Sequence, residues 1–560
     1  MKFDDFLVQY FGKLGRYQIF LFILINLPDI FIDFNLYSWT FVAQKISNRC
    51  ALLNEPADAA FYTTSSISMM TNCKDANGNL VQFITNDTKG IKCDYYEQCT
   101  LDASTMCDRR IYDHSHVEYS ATERWNLVCN DGKWLRAHIG ALYFVGQMIG
   151  STLFGVLSDK IGRKKTFCMS TMLLIVCGIG EAFAPWLWLY GILKMGTGMA
   201  HLGCVLIGCV LTMESVSPEH RRIPSIMIGM GLGLGGVILG IVAKFVTNYQ
   251  WLHVALGTPS ILLISFWWIV PESPRWLFTQ KRYEEADRVF QRAAKCNRKT
   301  IPEKWWEDII EDDSATNFSE SYSKSDNQNP QSNPIVRHAS VVFQLFRTPE
   351  LRKRTLVGIF IWIVVSMIFY GVSTKPDILG GDIYLTYIFV SVIEILAVFI
   401  VYYLVNRIGR RFLLSGGFFL SGLGLLISWS IDHFEFGKSI IVQMILTTFS
   451  MCAITIAFSV VYIHFPELYP TIIRNTAMGF FGTFARLGAI SASYIVSWMV
   501  EKYGKNFMII PFVVSSIACA ILALVFLPET AGKPMPDHIK EIEDEYSRNY
   551  STKKNKVDRF

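Results

Sequence analysis

A short charged loop occurs twice in this chain. Asp159-Lys160-Ile161-Gly162-Arg163-Lys164-Lys165 returns, altered, as Asn406-Arg407-Ile408-Gly409-Arg410-Arg411, and each copy joins two long apolar stretches. Two further pairs keep a similar spacing of about 250 residues, the mark of an internal repeat: Glu214 and Arg221 with Glu467 and Arg474, and Pro271-Glu272-Ser273 with Pro528-Glu529-Thr530. Three independent pairs at one offset make the chain two related halves. Any fold for it must use one plan twice.

Composition places those halves in a membrane. Of 560 residues, 51% are hydrophobic and only 18% are charged, against about 25% charged in a soluble chain. A helix needs about 20 mostly apolar residues to span a bilayer. That criterion predicts spans near 17–40, 136–157, 167–185, 187–212, 224–247 and 252–271, then 354–373, 383–405, 412–431, 438–463, 475–500 and 507–527. The expected fold is an all-α membrane protein with twelve transmembrane helices in two pseudo-symmetric six-helix halves. Its parts are a first half at 1–271, a linker at 272–353, a second half at 354–527 and a tail at 528–560. Parallel repeats of this kind build secondary carriers.

Lys and Arg gather after the second, fourth, eighth and tenth spans and just before the seventh. Basic short loops face the cytoplasm, so both termini are expected there. The run at 17–42 is too long for a signal peptide and lacks its small-residue cleavage pattern, so it reads as the first span. Basic clusters separated by membrane-length runs cannot form the single exposed face that nucleic acid requires.

Two loops interrupt the rhythm. The first, 43–135, is expected outside the cell and holds Cys50, Cys73, Cys93, Cys99, Cys107 and Cys129. An even cysteine count in an oxidising compartment implies up to three disulfides, with the pairing left open. Asn86-Asp87-Thr88 in this loop is a glycosylation acceptor. The second loop is the linker. Residues 284–295 read as an amphipathic surface helix, with Glu284 spaced to meet Arg288. The polar stretch after Glu311 cannot bury enough apolar surface to fold alone.

The repeated loops are gate candidates. Glycine permits a tight turn while Asp159 and Arg163, with Glu214 and Arg221, lock helix ends and bias one conformation. Arg407, Arg410, Glu467 and Arg474 are the counterparts. With Asn406 in place of Asp159, the second gate is expected to latch more weakly. Glycines 229, 231, 233, 235, 236 and 240 give the fifth span a backbone that neighbours can approach closely.

Several segments together resemble one family: Asn126-Leu127-Val128-Cys129, residues 155–165, Pro271-Glu272-Ser273-Pro274-Arg275-Trp276-Leu277, and Glu467-Leu468-Tyr469-Pro470-Thr471-Ile472-Ile473-Arg474-Asn475. They are similar to the organic cation, carnitine and organic anion transporter family of the major facilitator superfamily. So are Pro528-Glu529-Thr530 with Gly532 and Pro534, and the large cysteine-bearing first outer loop. The resemblance covers nearly the whole chain. It implies a polyspecific plasma-membrane carrier of small charged organic molecules.

Charges within spans are the site candidates, because each costs about 2.5–3.5 kcal/mol at the bilayer centre even on the mildest scale. Arg486 lies mid-span. The resemblance implies a role in substrate choice, since cation carriers have an aspartate there and anion and carnitine carriers an arginine. Its guanidinium suits a carboxylate, either the substrate's or that of a fixed internal acid. Glu394 lies mid-span in the eighth helix and matches an acid of cation and carnitine carriers; the lysine of anion carriers one turn later is Val398 here. One positive and one negative group suit a zwitterion. Asp29 and Asp33 depart from the family and share a helix face, where they would hold a cation, carry a proton or coordinate sodium; alternatively Asp33, with Asn35, sits hydrated near the outer mouth. Glu181, Lys194 and Lys244 lie nearer helix ends, where they snorkel or pair. Phe369, Tyr370 and Tyr462 would stack on a trimethylammonium or aromatic ring, with Gln147, His201 and Gln443 as polar lining.

The expected function is alternating-access transport of a carnitine-like zwitterion or an organic anion. The alternatives are an organic cation carrier and, more remotely, a membrane receptor without turnover. No nucleophile–base pair, metal cluster or nucleotide motif points to an enzyme. No cofactor or metal is expected, and coupling to Na+ or H+ is left open. The expected partners are a small organic ion and the lipid bilayer, with no nucleic acid.

Overall fold

A computed structural model of the chain describes residues 15–51, 61, 97–99, 107, 109–216, 223–299, 301–302, 305–306, 343–375, 382–434 and 439–532. Five long helices open it: α1 (Arg16–Val42), α2 (Cys129–Ile161), α3 (Arg163–Phe183), α4 (Leu187–Met213) and α5 (Ile223–Phe245). α6 begins at Tyr249–Gly257 and runs through a 3-10 segment, Thr258–Ser265, into Phe266–Ile269. The second half holds α7 (Pro349–Thr374), α8 (Ile383–Leu404), α9 (Arg410–His433), α10 (Ile440–Leu468), α11 (Thr471–Tyr494) and α12 (Asn506–Phe526). Eleven of these segments are long and apolar enough to cross a membrane. α11 is the exception: Arg486 and a high share of Gly, Ala, Ser and Thr lower its hydropathy, and its packing places it among the spans.

Helix neighbours repeat as the sequence does. In the first half α2 packs on α4, α3 on α4 and α1 on α5; in the second α8 packs on α10, α9 on α10 and α7 on α11. The halves meet along two equivalent seams, α5 against α8 and α2 against α11. Glycine makes the first seam possible. A Cβ at Gly229 would come 2.8 Å from Val398 of α8, and one at Gly235 would come 2.8 Å from the Asp33 Cβ of α1. α5 thus presents one bare stripe to each neighbour, the close approach that helices in lipid use where hydrophobic exclusion cannot drive association.

On the face bearing the described residues between α1 and α2, strands β1 (Asn48–Cys50) and β2 (Arg110–Tyr112) pair antiparallel. Disulfides Cys50–Cys107 and Cys99–Cys129 tie this loop to the start of α2. Cys73, Cys93 and Asn86 lie outside the described residues. On the opposite, basic face the amphipathic helix Tyr283–Asn297 buries Phe290, Ala293 and Ala294. Its ion pair joins Arg282 to Glu285 at 2.6 Å, and the expected Glu284–Arg288 pair does not form.

Candidate functional site

Described residues from each of the three repeated motifs meet in one network per half on the basic face. Gly162 closes the α2–α3 turn at φ 108° and Gly409 the α8–α9 turn at φ 98°, backbone that a side chain resists. Glu272 accepts the Lys164 N–H at 2.9 Å, capping α3. Glu529 accepts the N–H groups of Arg410 at 2.9 Å and Arg411 at 3.0 Å, capping α9. Burial pushes the Glu529 carboxyl upward, but donation from Ala531, Arg410 and Arg411 prevails and holds it below its ordinary value. Arg163 pairs with Asp159 at 3.1 Å and Glu214 at 3.5 Å, and Ser273 donates to Glu214. In the echo, Arg410 pairs with Glu467 at 3.2 Å and Thr530 donates to Glu467 at 2.6 Å.

The side chain of Asp159 is 74% exposed, and an exposed pair contributes roughly 0–1 kcal/mol. Its replacement by Asn406 therefore takes little from the second network. Arg407 lies over the Tyr403 ring at 4.1 Å and Arg474 donates to the Tyr469 carbonyl at 3.4 Å. Arg221 lies outside the described residues. Among the described residues, each ion pair of these networks stays within one half.

Mid-membrane charges gather where the halves meet. Asp29 and Asp33 are 2% and 3% exposed, so Asp33 is not at a hydrated mouth. Tyr387 of α8 donates to Asp33 at 3.3 Å across the seam, while Asp29 has no hydrogen-bond or ionic partner among the described residues. Glu394 is part-exposed, with Asp33, Tyr37 and Tyr370 in its electrostatic range. The half-buried Arg486 donates to its own helix carbonyl at Gly482, 2.8 Å away. No carboxylate among the described residues lies within ion-pair reach of that guanidinium. Tyr370 and His201 are in its range.

Aromatic rings join these groups. Phe369 stacks on Phe458 at 4.7 Å, Phe458 meets Tyr462 at 5.3 Å, and Phe144 of the first half meets Tyr370 at 4.8 Å. Gln147 is bound to His201 at 3.0 Å, and Tyr143 reaches the same ring nitrogen at 2.8 Å. Gln443 instead reaches Asp432 at 3.5 Å. Lys194 and Glu181 form a buried pair at 3.3 Å, supported by Thr197 and Ser38.

Above this site, on the cysteine-loop face, the halves are pinned together. Past Tyr494 the helix widens through a π turn, Ile495–Met499, into Val500–Tyr503. Glu501 there forms an ion pair with Arg136 of α2, the side chains 4% and 6% exposed, and Lys375 adds a second cation at 3.1 Å. Tyr494 meets His138 at 3.0 Å, and Trp134 packs on Tyr494 and Trp498 at 5.0 and 4.9 Å. On the other seam Gln44 donates to Tyr384 at 3.3 Å and Phe41 stacks on that ring.

A relative decides the family: the "Organic cation transporter protein" of Drosophila melanogaster is 30% identical over 547 residues, 97% of this chain and 95% of that one. The chain belongs to the organic cation, carnitine and organic anion transporter family. The broader family model "Sugar (and other) transporter" matches residues 99–542. Within the transporter family, "Organic cation/carnitine transporter 2" of Mus musculus is 27% identical, covering 97% of this chain and 94% of its own length. In fold the family member resembles the inward open conformation of the xylose transporter XylE from E. coli, with TM-score 0.58, 16% identity and coverage of 94% and 99%. The protein is thus a membrane-spanning carrier of the major facilitator superfamily, not an enzyme.

Sequence reasoning missed three parts of this transporter. Glu272 and Glu529 were visible as a repeated motif, but nothing local says that their carboxylates cap a distant helix. Arg136 and Glu501 lie 365 residues apart, and no pattern signals their pairing. Phe458 is one phenylalanine of 40; only its place between Phe369 and Tyr462 distinguishes it. The one group of metal-type donors among the described residues, Glu97, Cys99 and Cys129, is a disulfide beside a carboxylate already held by Lys133.

Proposed function

We propose that this carrier moves carboxylate-bearing zwitterions, carnitine-like in chemistry, across the plasma membrane by alternating access. The observation that carries the reading is Arg486: a guanidinium inside the membrane with no carboxylate partner among the described residues. Even half-buried, a cation inside the membrane is costly to leave without a partner, and a ligand completes it. A substrate carboxylate supplies the missing partner through a planar, two-point contact. The cationic end then lies among Phe369, Tyr370, Phe458 and Tyr462, opposite Glu394 and Asp33.

Both termini and the basic networks face the cytoplasm in this reading, and the cysteine loop faces outside. Contacts bridging the halves then sit on the outer side, through Arg136–Glu501 and Tyr494–His138, while among the described residues the basic-face ion pairs stay within each half. That pattern is a carrier open to the cytoplasm. The networks around Arg163 and Arg410 act as gates by keeping each half rigid while the halves rock. Coupling to a proton or sodium gradient, where it occurs, runs through Asp29 and Asp33.

Organic cation transport is the second reading. Three carboxylates, Asp29, Asp33 and Glu394, stand against one arginine, and relatives named as organic cation transporters share the architecture. Uptake of labelled carnitine, benzoate and tetraethylammonium, with and without sodium and pH gradients, separates the two. Carnitine as the best substrate supports the zwitterion. Transport of tetraethylammonium alone removes it in favour of the cation.

A further inference from the structure

A pocket of about 480 Å³ opens on the basic face, outside the transport path, where α6 leaves the membrane. Its walls come from the start of α3, the end of α6 and the amphipathic helix Tyr283–Asn297. Five cations line it, Lys164, Lys165, Arg282, Arg288 and Arg292, against two carboxylates, Glu272 and Glu285. Both carboxylates are already engaged. Glu272 caps α3 through the Lys164 N–H, and Glu285 is held by Arg282. Lys165, Arg288 and Arg292 are exposed and have no carboxylate in ion-pair reach among the described residues. The pocket therefore carries unneutralised positive charge.

Its upper wall is of a different character. Trp267 and Trp268, 42% and 72% exposed, stand on the last turn of α6. Tryptophan belongs at the level where acyl chains give way to headgroups. Cys168 and Val270 continue that apolar surface inward. Below, the amphipathic helix is fixed in place. Phe290 and Ala293 pack with Trp276 and Trp305, and Asn297 accepts the Tyr17 N–H at 3.0 Å and donates to Gln18 at 2.9 Å. The helix and its arginines are thus anchored to the foot of α1, which carries Asp29 and Asp33.

We infer that this pocket binds the phosphate-bearing headgroup of an anionic phospholipid of the cytoplasmic leaflet. The arginines and Lys165 meet the headgroup phosphates, while the acyl chains run up past Trp267 and Trp268. A free phosphate would use the cations and leave the two tryptophans without a role, so the lipid is the better occupant. The inference rests on the proposed orientation and not on the proposed substrate. A bound lipid would tie α3, α6 and the α1-anchored helix together and so favour one orientation of the first half.

Native mass spectrometry of the full-length protein tests this directly, using dioctanoyl phosphatidylinositol phosphate, dioctanoyl phosphatidylcholine and free inositol phosphate as probes. The anionic lipid is expected to bind saturably and phosphatidylcholine is not. Each basic side chain near the surface contributes on the order of fivefold. The triple variant Lys165→Gln, Arg288→Gln, Arg292→Gln is then expected to bind about a hundredfold more weakly. Lys295→Gln, on the same helix but outside the pocket, should bind as the wild type does. Should the triple variant fail to fold, Arg288→Gln and Arg292→Gln alone should each lose about fivefold. Unchanged binding by these variants, equal binding of phosphatidylcholine, or displacement by free inositol phosphate at the lipid's own concentration overturns the proposal. Because no transport is measured, none of these outcomes depends on which substrate is carried.

Discussion

Glu501→Gln should tip this carrier outward. The Arg136–Glu501 pair is almost wholly buried, with side chains 6% and 4% exposed, and Lys375 at 3.1 Å leans on the same carboxylate. Removing one partner of a buried pair costs about 3–5 kcal/mol, because the remaining charge is left without compensation. Two cations would be left facing each other here. Lys375 is 24% exposed, so solvent relieves part of that penalty and the lower end applies. About 3 kcal/mol, lost only in the state closed on the outer side, corresponds to roughly a hundredfold shift in the ratio of the two orientations. His138→Cys reports it, since His138 touches Tyr494 across the same seam. In intact cells an impermeant thiol reagent should label His138→Cys at least tenfold faster when Glu501→Gln is also present. Equal labelling rates at equal surface expression would refute the latch.

Three other outcomes follow from the same physics. Gly409→Ala places a side chain at φ 98° and a Cβ 2.7 Å from Glu529; it should lose about 1–3 kcal/mol, read as a lower Tm. The depressed Glu529 carboxyl gives stability that is present above the ordinary carboxylate range and lost as pH falls through its folded value, below 4.5. The Tm deficit of Glu529→Gln should therefore be constant from neutral pH to about 5 and shrink only under stronger acid, and a deficit that grows on acidification contradicts the cap. Cys99→Ser frees the outer loop from α2 and should cost about 2–5 kcal/mol, seen as lower thermal stability and poor surface delivery.

Much of the fold could be read from the chain because the bilayer enforces length. The span expected at 187–212 is Leu187–Met213, and the one expected at 383–405 is Ile383–Leu404. Arg486 and Glu394 stood out for a similar reason: a charge inside an apolar run has few structural excuses. What the chain did not disclose depends on contacts between distant segments. The Tyr387 hydroxyl reaches Asp33 only because α5 is thin enough, at its glycines, to let α1 and α8 draw near. The Arg136–Glu501 pair forms because the π turn that follows α11 brings Glu501 to the first turns of α2. The charged loop motifs were visible as repeats, but whether their charges join helices within a half or between halves is a matter of three-dimensional reach, and the described ion pairs of these loops stay within.

The central claim is that Arg486 receives a substrate carboxylate. Kinetics of Arg486→Gln for two labelled substrates test it: carnitine, and a trimethylammonium of the same size without the carboxylate. A charge-assisted hydrogen bond contributes about 1.5–3 kcal/mol, so carnitine kcat/KM should fall roughly tenfold to a hundredfold. Uptake of the carboxylate-free analogue should hold or rise, since a repelling positive charge has gone. Equal losses for both substrates, or no loss for carnitine, at wild-type surface expression would contradict the account.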